Sequence, residues 1–282
     1  MEPEQPASGD DSRPPREPAA PASPLAAGEF EILILSLPEA AARRRLVHAQ
    51  LDFPGMPSYR VLEAVDGSAL DERALAAGYD EQAAIRHCGR PLTRPEIGCA
   101  MSHLAAYRTM LERNLPLALV MEDDALIGLH AMQVLRRLVR MIDPSRPEVV
   151  LLSRAGRTSA WGGRKVDRNH RLYRVHGANG AYGYLITQAA ARTMLQALHP
   201  VRTPADDWRH LMRARIVQVF ALVPYCIGIA ALGENSHIGE DRFEAEGART
   251  VGRWLRKYAY QKFIFQLFVK PLLRLRKHES TW

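Results

Sequence analysis

The sequence predicts an α/β fold: a mixed, mainly parallel sheet flanked by helices, in a single domain. Three observations carry this. Glu31–Leu37, with Ile32–Leu35 at its centre, and Leu117–Met121 carry short unbroken apolar runs, the pattern of strands buried on both faces. Helix-like segments separate such runs along the chain. The 282 residues are 47% apolar, enough for one sizeable core of about 200 residues with appendages.

Residues 1–28 are rich in Pro, Ala, Ser and charge and read as a disordered lead-in. The main domain is expected over 29–248. Glu31–Leu37 is its first strand, ended by Pro38. Arg43, Arg44 and Arg45 follow on a short helix-like segment, where they either hold phosphate oxygens or line a solvated face. Tyr59–Val65 reads as the second strand, closed by the turn pair Asp66-Gly67. Residues 71–87 are helix-like or irregular. Thr93-Arg94-Pro95-Glu96 is a helix start: Thr93 caps, Pro95 fits the first turn, and Glu96 completes a capping box. That helix runs to about Asn114. His103 on it is either a satisfied core histidine or a site residue, and Ser102 beside it points elsewhere.

Leu117–Met121 then delivers Glu122, Asp123 and Asp124 to a strand end, the edge where ligands bind in parallel sheets. Alternation puts Glu122 and Asp124 on one side and Asp123 on the other. Paired carboxylates there suit a hard cation, Mg²⁺ or Mn²⁺; the alternative is a solvated acidic turn. A helix over about 128–142 and a strand over Glu148–Ser153 come next. Arg154–Lys165, with Arg157 and Arg164, reads as a loop that either closes over a nucleotide or is an ordinary mobile loop. Leu172–Val175 is a short strand. The small residues of His176–Tyr184 suggest backbone passing close to a ligand or another strand. Thr187 caps a helix. Asp206 and Asp207 open another helix at Trp208; one is explained as a dipole partner, and the other is left for chemistry. Ile216–Val223 is the last strand, before the polar loop Glu234–Gly239.

The net charge of +7 belongs to the tail, 249–282. Nine of the 38 basic residues lie in Arg249–Lys277, which holds no acid, leaving 29 basic against 31 acidic residues elsewhere. The body is therefore no nucleic-acid surface. The tail's interleaved aromatics fit either an interfacial helix on anionic lipid or a helix packed on the domain. No run approaches a membrane span, and no signal pattern opens the chain. Cys88, Cys99 and Cys226 suggest neither a disulfide framework nor a structural zinc site. A cytoplasmic protein, peripheral on the inner face of the membrane, is expected.

Several blocks carry a resemblance. They are Ile32–Leu37 with the arginines after it, Glu63-Ala64-Val65-Asp66-Gly67, Leu92–Leu104 with Glu96-Ile97-Gly98-Cys99-Ala100-Met101-Ser102-His103, Ala118–Asp124, and Gly180–Thr187. In order over about Glu29–Gly239, they resemble glycosyltransferase family 25, the lipooligosaccharide-biosynthesis glycosyltransferases. The chain departs at Ser236-His237-Ile238, where members often carry an acid. The resemblance implies a GT-A-like fold and inverting transfer of galactose or glucose from a UDP-sugar. It implies a lipopolysaccharide or other glycan acceptor, and collagen hydroxylysine in animal relatives. It places donor contacts at Ser36, Leu37, Arg43, Arg44, Asp66, Glu96, Ser102, Arg157 and Tyr182. Metal would sit on Glu122, Asp123 and Asp124. The acceptor's base is expected at Asp207 or Asp206, with His103 as the outside candidate. Two other classes stay open: a non-catalytic membrane-associated glycan- or nucleotide-binding protein, and a metal-dependent hydrolase or nucleotidyltransferase.

Overall fold

The computed structural model describes residues 30–159, 161–230 and 275–277. The lead-in, the loop Glu234–Gly239 and the tail other than Leu275–Lys277 lie outside the described residues.

The chain opens with β1 (Glu31–Ser36), α1 (Ala41–Leu51) and β2 (Tyr59–Glu63). Next come α2 (Glu72–Gly78), α3 (Glu81–Cys88), α4 (Arg94–Glu112), β3 (Leu117–Glu122), β4 (Ala125–Ile127) and α5 (Ala131–Met141). Then follow β5 (Glu148–Leu151), β6 (Arg157–Ser159), β7 (Arg164–Lys165), β8 (Arg171–Gly177) and β9 (Gly183–Thr187). The last elements are α6 (Gln188–Leu198), α7 (Trp208–Arg213), β10 (Gln218–Val223), β11 (Ile227–Ile229) and β12 (Leu275–Lys277).

The main sheet has the order β12-β6-β8-β10-β5-β9-β3-β1-β2, with β7 beside β8. β2, β1 and β3 are parallel, as are β5 and β10. All five run one way, and β9 runs against them between β3 and β5. The expected mixed, mainly parallel sheet is present.

Alternation along each central strand feeds two cores. Leu33, Leu35, Ala118, Val120, Tyr184 and Ile186 pack with Leu104, Tyr107, Met194 and Trp208 under α4, α6 and α7. Ile32, Ile34, Leu117, Leu119 and Met121 pack with Val47, Leu51, Val134 and Leu138 under α1 and α5. Helices therefore cover both faces, which is why these strands read as unbroken apolar runs.

The capping box at Thr93 and Glu96 forms as expected, and Thr187 caps α6 through Ala190 N. Residues 71–87, expected to be helix-like or irregular, make two short helices, capped by Asp71 and Asp80. Three local expectations change. The expected loop 154–165 contains β6 and β7. α5 starts at Ala131 rather than near Gly128, whose N donates instead to Cys226 O, ahead of β11. Leu275–Lys277, expected in a helix, pairs antiparallel with β6.

Gly98 on α4 is required by close approach. An added Cβ would stand 2.5 Å from Val65 O and from Gly67 N, so glycine lets the loop after β2 dock on the helix.

Candidate active site at the carboxyl edge of the sheet

β3 ends at Glu122, and Asp123 and Asp124 form a tight turn into β4. The turn is braced on both sides. Glu122 N donates to Tyr182 O at 3.3 Å, and Ala230 N donates to Asp124 O at 2.8 Å. β4 pairs antiparallel with β11. Gln50 on α1 reaches the same strand, accepting from Ile127 N and donating to Ala125 O.

The strand alternation expected to carry through Asp124 stops at Glu122, because the chain turns there. The three carboxylates take three environments. Asp123 is buried; Ser36 Oγ donates to its Oδ2 at 2.8 Å, and Arg43 Nη1 to its Oδ1 at 3.2 Å. Glu122 leans toward α4, with Oε1 3.7 Å from His103 Nε2. Asp124 Oδ1 is buried with no hydrogen-bond partner. Burial, then the charges of Glu122 and Asp123, push its carboxyl from the ordinary 3.8 up to about 6, with Arg43 opposing them. An orphaned carboxylate oxygen beside two further acids fits the donor set of a Mg²⁺ or Mn²⁺ ion.

Arg43 is the arginine of its trio that turns to this edge. Arg44 donates to Pro38 O, and Arg45 is exposed. Leu37 follows the end of β1 half-buried, and Tyr182 meets Glu122 through its backbone. The remaining expected donor contacts have partners of their own. Ser36 serves Asp123. Ser102 Oγ accepts from Val65 N and donates to Gly98 O, fixing the loop after β2 on α4. Glu96 is 2% exposed and holds Arg90 through both oxygens as well as Thr93 N. Asp66 accepts from Ser68, which holds its carboxyl below the ordinary value. Arg157 lies on β6, separated from β3 in the sheet by β8, β10, β5 and β9. Arg164 stacks on Phe220 and faces Glu148 rather than the acidic turn.

Asp206 and Asp207 border the loop that enters β9. Asp206 Oδ2 accepts from Gly180 N at 2.9 Å, and Trp208 Nε1 donates to Gly180 O. Gly180 sits at φ +87°, a left-handed conformation that favours glycine. Asp207 caps α7 and meets His87 Nε2 at 2.7 Å. His103 is 2% exposed, which closes it to an acceptor hydroxyl; its Nδ1 meets Tyr184 Oη at 2.8 Å. Sequence reasoning passed over Gln50, Cys99 and Tyr184, whose placement depends on α1 reaching β4 and on α4 meeting β3 and β9 in space.

The profile of Glycosyltransferase family 25 (LPS biosynthesis protein) matches residues 30–209. Procollagen galactosyltransferase 2 of Homo sapiens is 26% identical over 243 residues, covering 76% of this chain and 38% of that protein. Inactive glycosyltransferase 25 family member 3 of Homo sapiens is 28% identical over 207 residues, covering 67% of this chain and 32% of that protein. The chain thus spans well under half the length of these curated relatives. Among solved structures, a CMP:2-keto-3-deoxy-manno-octonic acid synthetase complexed with CTP overlaps at a TM-score of 0.38 and 12% identity. That overlap covers 68% of this chain and 89% of the other.

Proposed function

Because the chain belongs to glycosyltransferase family 25, we propose that it transfers a hexose, galactose or glucose, from a UDP-sugar to a glycan hydroxyl with inversion. The observation that carries this reading is the acidic turn, with the unpartnered Asp124 Oδ1 beside Asp123 and Arg43 at the carboxyl edge of β3. The names of the procollagen galactosyltransferase relatives support galactose as the sugar.

In this reading Asp124, with Asp123 or Glu122, holds Mg²⁺ or Mn²⁺. The ion, when bound, supplies Lewis-acid neutralisation of the departing diphosphate. The chain's own residues do the rest. Ser36 and Arg43 fix Asp123 and keep one positive charge at the edge. The Tyr182 loop bounds the donor. Asp206 or Asp207 accepts the acceptor's proton, each oriented by its hydrogen bonds to Gly180 N or to His87 and the start of α7. A lipopolysaccharide or related glycan is the acceptor class, from the family's description. The cationic, aromatic tail suits contact with an anionic membrane surface on which such an acceptor is carried. No helix of the described residues is long and apolar enough to cross a membrane.

A second reading, a non-catalytic binding protein on the same fold, is favoured by relatives whose names call them inactive. Thermal unfolding with UDP, with and without Mn²⁺, tests both. The transferase reading expects metal-dependent stabilisation by UDP and acceptor-dependent release of UDP from a UDP-hexose. Metal-dependent stabilisation with no release under any acceptor leaves the binding reading. Release from donor alone points to a hydrolase.

A further inference from the structure

We propose that Cys99, His103 and Glu122 form a second metal site, a three-ligand site for Zn²⁺ between α4 and the end of β3. Their ligand-offering atoms lie within 4.8 Å of one another. Cys99 and His103 stand four residues apart, on one face of α4. Glu122 comes to them from the adjacent strand. The sequence has no C-x-x-C pattern, so spacing alone gave no sign of this cluster.

The second observation is His103 itself. It is 2% exposed, and its Nε2 has no hydrogen-bond partner. That nitrogen faces Glu122 Oε1 at 3.7 Å, beyond hydrogen-bond reach. Two atoms bound to one tetrahedral zinc at about 2.0–2.1 Å stand about 3.3–3.4 Å apart, so a small movement closes the gap. The other ring nitrogen is already held by Tyr184 Oη, which Tyr107 Oη orients in turn at 2.8 Å. Zinc-bound histidines are held in this way through the nitrogen that does not meet the metal. In the tautomer whose Nδ1–H is donated to Tyr184 Oη, Nε2 turns a lone pair toward Glu122, and a cation between them removes the repulsion.

Thiolate, imidazole and carboxylate together favour Zn²⁺ over the hard ions that suit Asp124. Glu122 is a third exposed, so the fourth position opens toward the acidic edge. The proposal assigns Glu122 to this site and leaves Asp123 and Asp124 to the ion of sugar transfer, so absence of the zinc site would leave that reading intact.

The full chain, stripped of metal by a chelator and titrated with Co²⁺, tests it by absorption. One equivalent is expected to give a sulfur-to-cobalt charge-transfer band and visible bands of tetrahedral intensity, erased by Zn²⁺ but not by excess Mg²⁺. Cys99→Ser should remove the charge-transfer band, while Cys88→Ser and Cys226→Ser keep it. Tyr184→Phe, which preserves the ring, should weaken Co²⁺ binding about tenfold. With the acidic turn saturated by excess Mg²⁺, absence of the band at saturating Co²⁺, or a band that survives Cys99→Ser, overturns the proposal. Should Cys99→Ser fail to fold, unchanged affinity in Tyr184→Phe overturns it.

Discussion

The two edges of the sheet treat buried acid in opposite ways. At the amino edge, Glu31 opens β1 and Glu148 opens β5, at 5% and 2% exposure. Each faces two arginines: Arg113 and Arg60 for Glu31, Arg146 and Arg164 for Glu148. At the carboxyl edge, Glu122, Asp123 and Asp124 crowd together with Arg43 as the cation paired to them. The first arrangement gives each acid two cations, an excess of positive charge. The second is left in deficit, which is the observation behind the proposed metal site.

The sharpest way to break this contrast is Asp124→Asn. At pH 7–8 it should raise metal-free stability by about 1–2 kcal/mol after allowing for solvent screening, because a crowded charge is gone. It should also lower turnover at least about 100-fold and abolish Mn²⁺-dependent stabilisation by UDP. Denaturant melts and product release report the two signs together. Arg113→Ala at the other edge should do the reverse. It should cost about 1–2 kcal/mol in the same melts, since Arg60 still faces Glu31, with UDP binding retained.

pH sharpens the comparison further. Folding raises the Asp124 carboxyl from 3.8 to about 6, so the fold favours its protonated form. Its stabilising contribution is complete below about 4 and is lost as pH rises through about 6. Metal-free protein should therefore lose stability across that window, and Asp124→Asn should not. Mn²⁺ affinity should climb over the same interval, because the ligand must ionise; titration calorimetry at several pH values checks this. The smallest effect expected is at Arg43→Lys, where the reach to Asp123 Oδ1 shortens. A few-fold weaker UDP binding, measured by the same thermal shift, should follow.

The acidic edge was legible because a strand buried on both faces writes its pattern locally, and because Glu122–Asp124 terminate it. The capping box at Thr93 and Glu96 was legible for the same reason, since its partners lie three residues apart. Contacts of long sequence separation were not. Gln50 reaches β4 across 75 and 77 residues, and His103 meets Tyr184 across 81. Nothing in either neighbourhood announces the other. Ser102 and Glu96 drew attention as donor contacts because they sit in a recognisable block, whereas their partners, Val65 N and Arg90, make them parts of the scaffold. β4, β11 and the short strands in 157–165 were missed because two or three residues carry too little periodicity to register.

The clasp of β4 against β11 has a kinetic meaning. Ala125, Leu126 and Ile127 are stitched to Ile229, Gly228 and Ile227, with Gln50 fastening the same strand from the helix side. Displacing the turn ahead of that seam means unzipping it, so under the proposed function the turn is shaped before its ligands arrive, and opening there should fall among slow subglobal events rather than nanosecond wandering. Amide protons at Ile127 and Ala230 should accordingly outlast those of ordinary surface turns by orders of magnitude in deuterium.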